Sequence, residues 1–520
     1  MPGNHLIQHR AVSRISGIIS CLKTMINANN VLVGKNKMAS IKLFRFLLLT
    51  VGLPVMCLMT IAARGEVIFT NLVSFTGTGG AFPGAGPYCG LVLGADGNFY
   101  GTTSAGGANN LGTVFQLTPG GAFTSLVSFN GTNGATPYAA LTPVNGGFLY
   151  GTTSAGGASN WGTIFLIPTN GTFTNLFSFT GAKNPWQGAT PAAALVPDGA
   201  GSFYGTANYG GLTNTLYLNA GTPLGNGYGT IFQLASNGIV TAPVVFGGTN
   251  GAHPSGGLVL AKDGNFYGTT TWGGNGLSGN FSGYGSVFRL NPDGTFTNIY
   301  KFGGFGDGGF VYAGLAQGQD GYLYGATFNG GSAQNGTLFK ISTNGEFVPL
   351  RSFGYFESAT PYAGMTEGSD GNLYGTTYGN SMYGTYGSVF QLTPGGGFTN
   401  LFSFNNANGY QPAGVMVQGP DNNFYGTTSS GGANGLGTIF RLSIPMPAVI
   451  KAMTLTNGAA TLTWSAVAGQ TYQLQFSTDL TQNNWTNLGK LVFPTHGVMT
   501  TTDSDAAGSP QRFYRVVLYP

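Results

Sequence analysis

Residues 96–103 read Asp-Gly-Asn-Phe-Tyr-Gly-Thr-Thr, and the same eight residues return at 263–270. Around them a longer block recurs: this step, a Gly-Gly turn, a Gly-Thr/Ser-aliphatic-Phe run and a second aromatic run ending in Phe. Its tyrosine falls at Tyr100, Tyr150, Tyr204, Tyr267, Tyr324, Tyr374 and Tyr425, at intervals of 50, 54, 63, 57, 50 and 51 residues. A period of this length means one supersecondary unit used repeatedly. In the first complete block, short apolar runs between turn signals predict four strands, Tyr88–Leu93, Asn98–Thr103, Gly112–Leu117 and Phe123–Phe129. Asp96-Gly97 and Pro119-Gly120-Gly121 supply tight turns for an antiparallel sheet. The small residues of Gly-Thr-Thr suit places where inner strands of neighbouring sheets crowd together, and Phe and Tyr fill the wedge between sheets.

Radial arrays of four-stranded sheets are β-propellers. The pattern Phe-Thr-x-Leu-x-Ser-Phe occurs at Phe69–Phe75 before any complete block, whereas the last block stops after its third strand, Gly437–Leu442. One orphan strand at the start matches one vacancy at the end. The expected fold is therefore an all-β, seven-bladed β-propeller over 65–445, closed by the N-terminal strand so that no edge stays bare. Beyond Pro445 the period ends. Runs at Thr454–Thr456, Ala460–Trp464, Tyr472–Phe476, Trp485–Leu488 and Phe513–Leu518 predict a small fibronectin- or immunoglobulin-like β-sandwich over 446–520, with Trp464 and Trp485 in its core.

Composition narrows the function. Only 7% of residues are charged, against roughly 25% in an ordinary globular protein, and 91 are Gly. Eight basic residues precede position 65; without them 11 basic face 15 acidic residues, so nucleic-acid binding is not expected. Residues 38–63 carry Lys42 and Arg45, an apolar run from Phe44 to Ile61 and the pair Ala62-Ala63, the parts of a secretory signal within a 1–64 leader. The protein is expected to be secreted or at the cell surface, with no stable membrane span in the mature chain. Cys89 is the one cysteine beyond that leader, so sheet packing and not disulfides must hold the fold.

The blocks Asp-Gly-Asn-Phe-Tyr-Gly-Thr-Thr, Gly-Thr-Val/Ile-Phe and Phe-Thr-Asn-Leu-Phe-Ser-Phe, over about 66–442, resemble the GloVer tandem repeat of exported bacterial "choice-of-anchor" proteins. The stretch Tyr-Gln-Leu-Gln-Phe-Ser-Thr-Asp-Leu at 472–480 resembles the terminal β-sandwich of many secreted bacterial proteins. The resemblance implies export and a surface role and no particular activity. Anchored members end in a hydrophobic helix and basic tail; this sequence ends at Pro520 without them, so C-terminal anchoring is not expected.

Catalytic chemistry finds little material. His253 and His496 are the histidines beyond the leader, too few for a multi-histidine metal site, and no Gly-x-Ser-x-Gly elbow accompanies His253. No cofactor is expected. Asp96, Asp198, Asp263, Asp320, Asp370 and Asp421 share one hairpin turn, where Asp suits the geometry. Of the non-repeated acids Glu66, Asp307, Glu346, Glu357 and Glu367, Asp307 and Glu357 fall in loops between blades and offer the acid pair a carbohydrate-active hydrolase or lyase would need. The favoured reading is an exported non-enzymatic binding or scaffold protein whose loop face contacts a glycan or protein partner. Loop aromatics Trp161, Trp186, Tyr209, Tyr228, Trp272 and Tyr284 are the ligand-binding candidates, with Asp307 and Glu357.

Overall fold

The computed structural model describes residues 66–520 apart from 170–171, 182–187, 212–226, 275–282, 356, 358, 380–383, 447, 481, 483, 509–510 and 520. The leader with its signal segment, and Trp186, lie outside the described residues. The rest divides into two compact units, one spanning Val67–Ser443 and one beginning at Ile444. Apart from a 3-10 turn at Ala506–Gly508, regular structure among the described residues is β-strand, and no helix is long and apolar enough to cross a membrane.

Among the described residues the first unit holds seven antiparallel sheets of four strands each, the third with one additional strand, Ala189–Pro191. Each sheet is called after its order along the chain. In sheet 1 the strands are Val92–Leu93, Phe99–Thr103, Thr113–Leu117 and Phe123–Ser128. The inner strand is shorter than the expected Tyr88–Leu93, because the residues before Val92 leave the ladder to pack on sheet 7. A Cβ on Gly90 would stand 2.2 Å from the Val415 carbonyl oxygen, and the Thr427 hydroxyl donates to the Cys89 carbonyl at 2.8 Å.

The glycine of the repeat is required from within the sheet. Gly101 sits opposite Phe115 on the next strand, and a Cβ there would meet the Phe115 ring at 2.5 Å. The same pairing recurs as Gly151–Phe165, Gly205–Phe232, Gly268–Phe288, Gly325–Phe339, Gly375–Phe390 and Gly426–Phe440. In all of them the ring would lie 2.2 to 2.5 Å from such a Cβ, and all seven rings are buried. The crowding expected between blades thus arises first from the cross-strand ring.

Between sheets, the repeat tyrosine lies on an aromatic ring or apolar cluster of the following sheet. Tyr150 meets Phe203 at 4.2 Å, Tyr204 meets Phe266 at 4.5 Å and Tyr374 meets Phe424 at 4.3 Å between centroids. Tyr425 of sheet 7 meets Phe99 of sheet 1 at 4.1 Å, within a core cluster that also holds Phe75, Leu91 and Phe115.

Ile68–Ser74 runs antiparallel to Thr438–Ser443 as the outer strand of sheet 7. Its register slips between Asn71 and Val73, as the third-to-fourth strand pairing slips in the other six sheets. The Phe75 amide donates to the Gly437 carbonyl at 3.1 Å, as the Phe129 amide does to Gly112 at 3.0 Å. The N-terminal strand therefore reproduces the geometry of the strand that the last block lacks.

Two positions beyond each Gly–Phe pair, six sheets bury a pair of hydroxyls at 2.8 to 2.9 Å: Thr103–Thr113, Thr153–Thr163, Thr270–Ser286, Thr327–Thr337, Thr377–Ser388 and Thr428–Thr438. Sheet 3 has Ala207 opposite Thr230, whose buried hydroxyl finds no partner among the described residues.

The second unit is a sandwich of two three-stranded antiparallel sheets. Ile450–Thr456, Ala459–Ser465 and Val498–Asp503 form one; Thr486–Val492, Thr471–Ser477 and Phe513–Tyr519 form the other. Both contribute to a core around Trp464, Tyr472 and Tyr514. Val498–Asp503 was not among the expected strands, its Met-Thr-Thr-Thr-Asp run lacking apolar alternation. Trp464 is fully buried, whereas Trp485 departs from expectation: it is half-buried under the Arg515 guanidinium, 4.2 Å from its ring centroid.

The orphaned hydroxyl makes a test. Removing a buried hydroxyl that has a partner costs about 1 kcal/mol, whereas removing an unsatisfied one is neutral or stabilising. Thr163→Val is expected to lower the urea midpoint of the full chain and Thr230→Val to leave it unchanged or raise it.

Candidate binding site: tyrosines on the connections between sheets

Each connection from one sheet to the next passes through a residue with left-handed backbone: Gly86, Thr136, Thr190, His253, Phe310, Thr360 and Gln411, with φ between 48° and 59°. The amide of each donates, at 2.8 to 3.1 Å, to the carbonyl of Leu436, Leu111, Trp161, Tyr228, Tyr284, Asn335 and Tyr386 respectively. This bond fixes where the chain turns, and so places the residue two positions later at an equivalent spot in every connection. The seven occupants are Tyr88, Tyr138, Ala192, Ser255, Tyr312, Tyr362 and Ala413.

The four tyrosines make two pairs. Tyr88 and Tyr138 meet edge to face at 5.3 Å, and Tyr312 stacks on Tyr362 at 5.1 Å with 17° between planes. Tyr378 continues from Tyr362 at 5.4 Å, and Phe328 packs edge-on to Tyr312 at 5.4 Å. Tyr138 is 42% exposed, and Tyr88, Tyr312, Tyr362 and Tyr378 are half-buried. Burial pushes the Tyr362 phenol up, with Tyr312, Tyr88 and Tyr138 adding to the effect. Burial and then Tyr88, Tyr362 and Tyr410 push Tyr378 up to about 12. Raised in this way, the Tyr362 and Tyr378 phenols stay neutral at physiological pH and can both donate and accept hydrogen bonds. Sequence reading missed this group because each tyrosine stands alone in its connection. The signal was there as Pro-Tyr-Cys-Gly-Leu (87–91), Pro-Tyr-Ala-Ala-Leu (137–141) and Pro-Tyr-Ala-Gly-Met (361–365), read against Pro-Ala-Ala-Ala-Leu (191–195).

The aromatics singled out from the sequence sit at two other repeat positions. Trp161, Tyr228 and Tyr284 each precede the glycine that opens a third strand and lie over a turn glycine of the next connection. A Cβ on Gly181 would come 2.4 Å from the Trp161 ring, and one on Gly304 2.4 Å from the Tyr284 ring. Tyr209 ends the second strand of sheet 3 and Trp272 follows that of sheet 4; Tyr209 meets His253 edge-on at 5.1 Å and Trp272 meets Phe310 at 4.5 Å. Tyr284 is 36% exposed and the other four are half-buried.

Asp307 and Glu357 each serve their own turn. Asp307 accepts from the Gly303 amide at 2.8 Å and the Tyr300 hydroxyl at 3.0 Å. Glu357 accepts from the Gly354 amide at 3.1 Å, and both its oxygens accept from Nη2 of Arg351 at 2.8 Å. Asn133, Asn250 and Asn408 cap the amides of Asn130, Gly247 and Asn405 in the same way, so the two acids occupy a turn-capping position of the repeat. His253 is held by the Asn208 carbonyl at 2.9 Å from its Nδ1, and burial pulls its pKa down. Among the described residues no group of three or more His, Cys, Asp or Glu could hold a metal ion.

The hairpin aspartates do more than shape turns. In five sheets the buried repeat tyrosine donates its hydroxyl to the turn carboxylate: Tyr100 to Asp96, Tyr267 to Asp263, Tyr324 to Asp320, Tyr374 to Asp370 and Tyr425 to Asp421, at 2.6 to 2.9 Å.

Residues 57–219 and 277–478 match the Gloeobacter/Verrucomicrobia repeat, more than half of the 520-residue chain. The chain belongs to that repeat family. No curated protein sequence matches it. Solved structures similar to this Gloeobacter/Verrucomicrobia repeat protein include one described as the extracellular domain of a hybrid two-component system from B. thetaiotaomicron, at 11% identity and TM-score 0.45. That match covers 83% of this chain and 53% of the other, so the chain spans about half of its length. A luciferin-regenerating enzyme is similar at 12% identity and TM-score 0.38, over 72% of this chain and 95% of that one. Puromycin hydrolase is similar at 12% identity and TM-score 0.42, over 74% and 59%. The propeller-like reading of the repeat protein rests on its own sheets and not on these likenesses.

The Tyr–Asp bonds predict an alkaline limit to stability. Burial and the Asp96 bond push Tyr100 up to about 12, and burial and Asp263 do the same to Tyr267. The unfolded chain ionises its phenols near pH 10, so this stabilisation is complete below about pH 10 and is lost as pH rises towards about 12. Burial alone would raise the Asp96 carboxyl, but the Tyr100 hydroxyl and Asn98 bonds hold it below its ordinary value; that contribution fades only below about pH 4. Melting temperature measured against pH should fall from pH 10 upward, and less steeply in a Tyr100→Phe, Tyr267→Phe double variant. Identical slopes would contradict this assignment.

Proposed function

We propose that the seven sheets close into a seven-bladed propeller completed by the N-terminal strand, and that the protein is an exported binding or scaffold protein. Supporting closure, the outer strand of sheet 7 is Ile68–Ser74, and the Gly86 amide of the first connection bonds to the Leu436 carbonyl of sheet 7. Supporting binding, equivalent spots on four connections carry two tyrosine pairs, Tyr88–Tyr138 and Tyr312–Tyr362, whose partly exposed rings and hydroxyls suit a glycan or a protein partner. This is the observation on which the reading stands. Trp272 and Tyr284, on neighbouring loop positions, would extend that surface. The signal segment at 38–63 and the repeat family favour a location outside the cytoplasm. The second unit, as a fibronectin-like module, would space or attach the propeller.

The hydrolase alternative would need Asp307 and Glu357 freed from the turns they cap. Full-length protein mixed with insoluble polysaccharides and bacterial envelopes is expected to sediment with at least one of them without releasing reducing sugar. Sugar release that Asp307→Asn or Glu357→Gln abolishes would overturn the binding reading in favour of the enzyme, and retention on none of the materials would overturn binding itself.

A further inference from the structure

We infer that one sheet of the second unit carries on its outward face a carboxylate-binding site built on Arg515, and that its ligand is a uronate of an acidic polysaccharide. This goes beyond the reading above by giving the second unit a ligand of its own, and it rests on residues of that unit alone.

The site crosses the sheet Thr486–Val492, Thr471–Ser477 and Phe513–Tyr519. Along its central strand Tyr472, Leu474 and Phe476 belong to the core, so the alternate residues Gln473 and Gln475 face outward. Gln475 stands opposite Asn487 on one side and Arg515 on the other, which makes one row across the three strands. The Arg515 Nε donates to Gln475 Oε1 at 2.7 Å, and Gln475 Nε2 donates to Asn487 Oδ1 at 2.8 Å. A guanidinium can only donate, so it sets the sense of the whole chain: Gln475 turns its oxygen to Arg515, and Asn487 turns its oxygen to Gln475. The ends of the row therefore present N–H groups, from the Asn487 amide and from Nη1 and Nη2 of Arg515. Gln473 is spent on the sheet itself, its Nε2 donating to the carbonyls of Leu474, Leu488 and Gly489 at 2.8 to 3.4 Å.

The guanidinium is fixed before any ligand arrives and lacks a counter-charge. The Trp485 ring lies 4.2 Å from its Cζ, and with the Nε bond this holds its plane. Three ion pairs occur among the described residues, Lys340–Asp320, Arg351–Glu357 and Arg512–Asp503, and Arg515 is in none of them. The acidic side chains within 444–520 are Asp479, Asp503 and Asp505, and no strand of this sheet carries one except at a distance along the chain. A half-buried, unpaired guanidinium is the situation that a ligand carboxylate relieves. With Nε spent on Gln475, the edge that remains carries Nη1 and Nη2, whose parallel N–H groups match the two oxygens of a carboxylate.

A uronate and an acidic peptide both bring carboxylates, and the row favours the uronate. A peptide also brings backbone N–H groups that need acceptors, whereas this row offers donors. The ring oxygen and hydroxyls of a uronate accept, so Asn487 can bond the saccharide whose carboxylate Arg515 holds, with the partly exposed Trp485 beside them for C–H contact.

The test is titration of the full-length protein with oligogalacturonate, with a neutral galactan fragment of equal length and with poly-glutamate. Oligogalacturonate is expected to bind, about tenfold or more weakly in Arg515→Gln and in Asn487→Asp, the worth of one hydrogen bond to a charged group, and unchanged in Lys490→Gln. Asn487 is exposed, and Asp keeps the acceptor that Gln475 Nε2 needs while replacing the outward N–H groups by a negative oxygen. That variant should keep the parent melting temperature, which separates loss of ligand from loss of fold. Absence of oligogalacturonate binding, equal binding of galactan, or binding indifferent to both changes would overturn the inference. Tighter binding of poly-glutamate would replace the saccharide by an acidic peptide, and an equal loss in Lys490→Gln would replace the fork by diffuse charge; either result rejects the site as assigned. None of these outcomes bears on the tyrosine pairs of the first unit, which the variants leave untouched.

Discussion

A phenylalanine ring laid over a glycine of the neighbouring strand, seven times along the chain, is the contact on which the first unit is built. Glycine weakens a strand by roughly 0.5–1 kcal/mol, but burying the Phe ring that it admits returns about 1.5–3 kcal/mol. The pair also sets dimensions. With the ring folded flat over its own sheet, the repeat tyrosine of one sheet can reach the next, as Tyr425 reaches Phe99. Any side chain in place of that glycine would lift the ring and part the sheets.

Around this contact the repeat divides its positions by task. The Tyr–Asp bonds of five sheets and the paired hydroxyls of six tie strands together within a sheet, and the amide of each left-handed residue fixes the connection. Positions whose side chains have such duties largely keep their residue type from sheet to sheet, whereas the left-handed residue, which bonds through its backbone amide, ranges from Gly86 to Thr136, His253, Phe310 and Gln411; the departure at Ala207 leaves the Thr230 hydroxyl without a partner among the described residues. The position two residues after the left-handed turn has no such duty. It varies among Tyr, Ala and Ser, and that freedom is what lets some connections carry paired tyrosines and others small residues. Charge is divided in a related way, with the repeated carboxylates kept on the hairpin turns.

Much of the architecture was legible in the sequence because it is repeated: strand count per block, the hairpin turns and the orphan strand at Phe69–Phe75 all follow from period and turn chemistry. What escaped depends on contacts between blocks. The inner strand was read as starting at Tyr88, since an apolar run cannot show that Cys89 and Gly90 pack on another sheet. Asp307 and Glu357 looked unique by residue type, although Asn fills the same capping role elsewhere. The tyrosines of the candidate site were invisible for the opposite reason: each is an isolated residue, and only folding brings Tyr88 onto Tyr138 and Tyr312 onto Tyr362. Large loop aromatics such as Trp161 drew attention by size, and the structure gives them turn glycines to cover.

Closure of the proposed ring depends on the strand Ile68–Ser74, since it joins the first residues of the unit to its last sheet. Amide hydrogen exchange of the full-length protein reads that pairing directly. Protection of 68–74 comparable to that of the outer strand Phe123–Ser128 of sheet 1 is expected, because both share one register and one bulge. Rapid exchange across 68–74, with Thr438–Ser443 exchanging as an exposed edge, would contradict a ring completed by its N-terminal strand.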